Sequence, residues 1–154
     1  MRLMLAVLCL SAVVAAAGCS SSASSPTSTA TATQTITNDV LNGTVPPPIG
    51  GVLQSSFNSF VVGQGGGTIS VTLTSAIETF PDGGLLTSVT MGLAVGTVAN
   101  GTCTLLANSF TTAQGGSAAQ LSGTVSANGT YCVQVSDVST QVGPVNYSVL
   151  VSHP

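Results

Sequence analysis

The chain has 154 residues, of which 44% are hydrophobic, 4% aromatic and 3% charged, and its formal net charge is −3. Its single Lys or Arg is Arg2, so the remainder has no permanent cation to neutralise phosphate groups or anionic lipid headgroups. This composition argues against nucleic-acid binding and polybasic membrane docking, and high hydrophobicity with low charge is the reverse of a disordered chain.

The chain begins with the pattern of a secretory signal segment. Residues 3–17 form an apolar run behind Arg2 that is too short for a bilayer-spanning helix, which needs about 20 apolar residues. In residues 20–35, which follow it, 11 of 16 positions are Ser or Thr. Such a segment buries too little apolar surface to offset its ordering entropy, which predicts an unstructured tether.

Two processing sites compete at the end of the apolar run. Ala15-Ala16-Ala17 fits ordinary signal cleavage, which would leave a chain starting at Gly18. Alternatively, Ala16-Ala17-Gly18-Cys19 resembles the lipobox of bacterial lipoproteins, in which the Cys receives a diacylglyceryl group and becomes the acylated N-terminus.

The lipobox resemblance implies export and attachment to the membrane of the bacterial envelope through a lipid on Cys19. Ser20, following that Cys, implies the outer membrane where the organism has one. We therefore predict a lipoprotein signal peptide over residues 1–18, then a lipidated Cys19 and a tether over residues 19–49.

The other three cysteines sort by location. Cys9 lies inside the apolar run and leaves with it, so Cys103 and Cys132 remain as a pair in the exported part. A two-Cys metal site is the alternative, but no His or acid lies close in sequence to complete it. We predict a Cys103–Cys132 disulfide, which stabilises by roughly 3–4 kcal/mol in the chain-entropy model.

The folded part is predicted to begin near residue 50, because Pro46-Pro47-Pro48 cannot join a sheet ladder. Beyond it, segments with period-2 alternation lie between Gly-, Asn- and Asp-rich turns. Seven short strands at near-regular spacing predict an all-β fold, an antiparallel jelly-roll or Greek-key β-sandwich over residues 50–154. The predicted strands are 57–62, 68–74, 88–95, 102–107, 118–126, 130–136 and 146–152.

Alternation also predicts which side chains face the core. In strand 130–136, Tyr131, Val133 and Val135 share one face, so Cys132 points the other way and its disulfide staples a sheet surface or edge. Most aromatic side chains are expected in the core, which leaves no exposed aromatic platform for carbohydrate: Phe57, Phe60, Phe80, Phe110, Tyr131 and Tyr147.

Three motifs within residues 57–152 resemble the bacterial pre-peptidase C-terminal domain. The resemblance implies a jelly-roll-like sandwich of the kind appended to exported proteases and other secreted or surface proteins. Members often carry an acidic strand in mid-domain, but residues 88–95 contain no acid, so no calcium site is expected there. The motifs are Gly66-Gly67 before Val71 and Leu73, Gly129-Thr130-Tyr131 before Val133 and Val135, and Asn146-Tyr147 before Val149 and Val151.

The acids and the single His do not assemble into a catalytic pattern. His153 is expected on a fraying chain end, Asp39 in the tether, and Asp82 in a PDGG turn that favours Asp for backbone reasons. Glu78 and Asp137 have no local partner and are interpreted as solvated loop acids. We predict no catalytic, cofactor or metal site and no enzyme, with calcium binding by Glu78, Asp82 or Asp137 and loop carbonyls as the alternative.

These observations favour a lipid-anchored, non-catalytic β-sandwich of the cell envelope that acts as a binding or structural module. Its expected partners are a polysaccharide, another envelope protein or copies of itself, and no nucleic acid. The alternative is a stand-alone accessory domain that assists an exported protease or another secreted enzyme.

Overall fold

The computed structural model of the chain describes residues 34–154. The predicted signal peptide, Cys19 and the first part of the tether lie outside the described residues. The described residues all belong to one compact unit. In the described range, no helix is long and apolar enough to cross a membrane.

The described residues form two antiparallel sheets that pack face to face as a β-sandwich. One sheet has the order β1-β9-β3-β4, with β7 also paired to β3, and the other has the order β2-β8-β5-β6. The strands are β1 Thr37–Val45, β2 Ser55–Val62, β3 Gly67–Thr79, β4 Leu85–Leu86, β5 Met91–Ala99, β6 Thr102–Ala113, β7 Leu121–Val125, β8 Gly129–Ser136 and β9 Val145–His153.

The predicted fold class is confirmed, and each of the seven predicted segments contains a strand, found as β2, β3 and β5–β9. Asn100 and Gly101 adopt φ values of 52° and 74° between β5 and β6, as expected for a tight hairpin of the mirror-image type. Two further strands, β1 and β4, were not predicted.

The first of these strands corrects the predicted domain boundary. β1 pairs with β9 along its whole length, from Thr37↔His153 to Val45↔Val145, so the sandwich begins before the prolines and not near residue 50. Gly43 permits this packing because a Cβ there would collide with the ring of Tyr147. The predicted tether therefore cannot extend to residue 49.

The core between the sheets consists mainly of valines with a few larger side chains, among them Ile69, Leu73, Met91 and Leu93, all at most 1% exposed. Two buried tyrosines add hydrogen bonds to this core. Tyr131 Oη accepts a hydrogen bond from Ser126 N at 2.8 Å, and Tyr147 Oη accepts one from Asn58 Nδ2 at 2.9 Å. The second contact joins β9 to β2 and therefore ties the two sheets together.

Cys103 and Cys132 form the predicted disulfide. On β8, Cys132 points to the face opposite to that of Tyr131, Val133 and Val135. It is not part of the central core cluster, as the alternation of the strand predicts. It is nevertheless fully buried, because the disulfide passes over β5 at Gly96, where a Cβ would lie 3.0 Å from Cys103 Sγ.

Strand β6 is longer than predicted and is interrupted. Ala94 pairs with Phe110 and Gly96 with Leu105, so one β5 residue faces the four β6 residues 106–109. Within this bulge Asn108 has φ 57°, and Ser109 Oγ lies 2.6 Å from Val95 O. The bulge bends β6 and brings its first half over β5.

Candidate functional site

The outer face of the β2-β8-β5-β6 sheet carries two exposed phenylalanines, which corrects the expectation that they belong to the core. Phe57 is 39% exposed and Phe110 is 55% exposed. Phe60, Tyr131 and Tyr147 are buried as predicted, and Phe80 is half-buried. We call the outward residues of this sheet the aromatic face.

The two phenylalanines lie in one row across the sheet. Phe57 pairs with Gln134, Gln134 with Ala94, and Ala94 with Phe110. Because neighbouring strands are about 4.8 Å apart, three spacings place the two phenylalanine backbones about 14 Å from each other. Two aromatic side chains therefore flank Gln134, which is half-buried, and Ala94, which is only 2% exposed.

The outward positions of β5 are Gly92, Ala94 and Gly96, and all three are covered by neighbouring groups. A Cβ on Gly92 would lie 2.9 Å from Phe110 Cε2 and would collide with the hydroxyl of Ser136. The ring of Phe110 therefore leans from β6 onto the bare backbone of β5. Glycine at position 92 is what allows that approach.

The remaining outward groups are neutral. β2, β5, β6 and β8 contain no Asp, Glu, Lys, Arg or His. Among the described residues, no side-chain hydrogen bond engages the outward side chains of Ser59, Thr130, Gln134 or Ser136. The aromatic face therefore combines rings, hydroxyls and an amide without any charge, and the exposed Val61 and Leu105 lie beside them.

Glu78 and Asp137 are buried, at 1% and 3% exposure, so their interpretation as solvated acids is wrong. Both bind the loop between β8 and β9, residues 137–144. Asp137 Oδ1 accepts from the backbone N–H groups of residues 140 and 141 at 3.2 and 3.3 Å. Glu78 Oε1 accepts from the N–H groups of residues 142 and 143, the latter at 2.6 Å.

Asp82 lies where the sequence places it. It is exposed in the turn after β3, and its Oδ1 accepts a hydrogen bond from Gly84 N at 3.0 Å. Gly83 supplies a φ of 85°, so the PDGG segment is a turn built for backbone reasons.

His153 is 2% exposed, and the expectation of a frayed end is wrong. Its Nε2 lies 3.0 Å from Asp39 Oδ2, its Nδ1 lies 2.9 Å from Pro154 O, and its ring packs 5.1 Å from that of Phe60. Asp39 belongs to β1 and not to the tether. Both ring nitrogens are engaged, so this pair fastens β1 to β9 and has no nitrogen left to activate a nucleophile.

An apolar cavity of about 30 Å³ opens between the β6 bulge and β7. Its lining includes Ile69, Val95, Leu106 and Leu121. The space matches one or two water molecules in size but offers them few polar partners. Within residues 34–154, no group of three or more His, Cys, Asp or Glu side chains is arranged to hold a metal ion.

Comparison of the chain with protein-family models, with curated proteins and with solved structures gives no match. Proposals about function therefore depend on the residues themselves and on their geometry.

Proposed function

We propose that this chain is a lipid-anchored, non-catalytic β-sandwich of the bacterial cell envelope that binds a neutral polysaccharide on its aromatic face. The observation that carries the proposal is the row of Phe57, Gln134, Ala94 and Phe110 across one sheet.

The chemistry of the face fits sugar rings. An apolar sugar face packs on an aromatic ring, while its edge hydroxyls need hydrogen-bond partners. The aromatic face supplies two rings with the amide of Gln134 between them, and the hydroxyls of Ser59, Thr130 and Ser136 lie in other rows of the sheet. None of these four side chains makes a side-chain hydrogen bond within residues 34–154. Because the face has no charge, an anionic polysaccharide would find no cation to pair with there.

The proposal includes membership of the pre-peptidase C-terminal family. The motif residues Val71, Leu73, Val133, Val135, Val149 and Val151 are buried, with Tyr131 and Tyr147 beside them, which supports their interpretation as strand motifs of such a sandwich. The accessory-domain alternative would use the same face to hold an enzyme on its polymeric substrate.

Binding is tested with the full chain in mild detergent, mixed with cellulose, xylan and chitin and, as a charged comparison, alginate. We expect retention on at least one neutral polymer, and a loss of about tenfold or more for Phe57→Ala or Phe110→Ala, because truncating an aromatic anchor costs about 2 kcal/mol. Val40→Ala is the matched control, since Val40 is 63% exposed on the outer face of the other sheet.

Retention on none of the neutral polymers, or equal retention of the phenylalanine variants and the control, would overturn the polysaccharide proposal. Attachment is tested separately by fatty-acid labelling of the wild type against Cys19→Ala. Label retained in the variant, or a mature N-terminus at Gly18, would contradict a lipid on Cys19.

A further inference from the structure

The β8–β9 loop, residues 137–144, contains two buried oxygen atoms that have no hydrogen-bond donor. They are Asp137 Oδ2 and Gln141 Oε1, on side chains that are 3% and 7% exposed. A sealed polar atom without a partner costs free energy, and the cost is larger for a carboxylate oxygen than for an amide. The two atoms belong to the same loop, four positions apart in the sequence.

The orientation of Gln141 is fixed by its surroundings. Its Nε2 donates toward Val45 O at 2.8 Å, Gly143 O at 2.8 Å and Pro46 O at 3.0 Å. Rotating the amide by half a turn would place Oε1 against three carbonyl oxygens, so the assignment is unambiguous. The unpaired atom of Gln141 is therefore an oxygen, and it points away from the end of β1.

Four backbone donors of the loop already have acceptors other than these two oxygens. The N–H groups of residues 140 and 141 already donate to Asp137 Oδ1, and those of residues 142 and 143 donate to Glu78 Oε1. Four successive donors are thus committed, and each buried acid receives two of them through one oxygen.

The described part of the chain also lacks a side-chain cation that could pair with these acids. It contains no Lys or Arg, and its single His contacts Asp39 at the opposite end of β9 from the loop. Two carboxylates are therefore buried around one loop with backbone dipoles as their counterparts, and burying ions without opposite charge is unfavourable.

We propose that the β8–β9 loop binds a calcium ion, with Asp137 Oδ2 and Gln141 Oε1 as side-chain ligands and loop carbonyls completing the set. Carboxylate, amide and carbonyl oxygens are the ligands of a hard cation, and calcium accepts irregular arrangements of them that magnesium does not. The proposed set contains one carboxylate, so it is not one of the groups of three or more His, Cys, Asp or Glu side chains, of which residues 34–154 have none. The site differs from any mid-domain acidic strand and revises the sequence prediction of no metal.

A site with one ligating carboxylate is expected to be weak. We expect one calcium ion per chain with a Kd of about 0.1–1 mM, the range of extracellular modules, and much weaker binding of magnesium. At a calcium concentration ten times Kd, the Tm of the full chain should rise by about 3–6 °C. Equilibrium dialysis with radioactive calcium after chelator treatment measures the stoichiometry, and thermal unfolding measures the shift.

Asp137→Asn keeps an oxygen for the N–H groups of residues 140 and 141 but removes the charge, and it should weaken calcium binding at least tenfold. Asp82→Asn is the matched control, because Asp82 is exposed and caps a different turn, and it should leave binding unchanged. Dialysis of the wild type needs no variant to fold. No bound ion at 5 mM calcium would overturn the proposal in favour of buried water, and equal binding by wild type and Asp137→Asn would place the ion elsewhere.

Discussion

The two sheets of the sandwich present different outer faces. On the β1-β9-β3 sheet, outward polar side chains bind one another across strands, as Thr44 Oγ1 does with Asn146 Oδ1 at 2.7 Å and Ser152 Oγ with Asn38 Oδ1 at 2.5 Å. On the β2-β8-β5-β6 sheet, outward polar groups lie unpaired between exposed rings. The first face thus pairs polar side chains within the protein, whereas on the second face Ser59, Thr130, Gln134 and Ser136 make no side-chain hydrogen bond within residues 34–154.

The disulfide and a tightly packed glycine also lie on the aromatic face. The disulfide and Gly96 hold β6 close over β5, and Phe110 is carried on the same strand, beyond the bulge. If the two faces differ as described, changes to the disulfide or to Gly96 should alter both stability and polysaccharide binding. Comparable changes on the outer face of the β1-β9-β3 sheet, which we call the polar face, should alter neither.

The largest expected effect is that of removing the disulfide. Cys103→Ala combined with Cys132→Ala should lower the free energy of unfolding by about 3 kcal/mol, because the unfolded chain regains the entropy that the cross-link removes. Chemical denaturation measures this loss, and reduced wild type should show a loss of similar size. A loss below about 1 kcal/mol would mean that packing alone holds β6 over β5.

A smaller effect is expected at Gly96. A Cβ there would collide with the carbonyl oxygen of Thr104, and because that atom belongs to the backbone, Gly96→Ala should cost about 1–3 kcal/mol. Gly123 in β7 belongs to the other sheet and has open space where a Cβ would be. Gly123→Ala should change stability by about 0.5 kcal/mol or less, and equal costs at the two glycines would remove this part of the contrast.

Much of the fold follows from the sequence because alternation and turn residues are local signals. The sequence does not predict β1 because Asn42, Gly43 and the three prolines that follow outweigh a weak alternation, in which only Leu41 and Val45 are apolar inward residues. Only its partner β9 reveals the pairing. The burial of Glu78 also depends on distant residues, since one of its hydrogen-bond donors, Gly143 N, is 65 positions away in the sequence.

Part of the aromatic face could be predicted from the sequence. Phe57 and Phe60 are three residues apart, so on a strand they must point to opposite faces, and one of them had to be outward. Phe110 gave no such signal, because the four-residue bulge at 106–109 resets the alternation of β6. Where an irregularity changes the phase, the period-2 pattern alone cannot assign a face.

The smallest expected effect concerns the polar face. Thr44→Val keeps the shape of the side chain and removes the hydroxyl that donates to Asn146 at 2.7 Å. Both residues are exposed, so water replaces the lost hydrogen bond, and the free energy of unfolding should change by about 0.5 kcal/mol or less. Polysaccharide retention should stay at the wild-type level, because the change lies on the sheet opposite Phe57 and Phe110. A retention loss as large as that of Phe110→Ala would show that the polymer contacts both faces. The proposed division, in which one sheet pairs its own polar side chains and the other binds the polymer, would then be wrong.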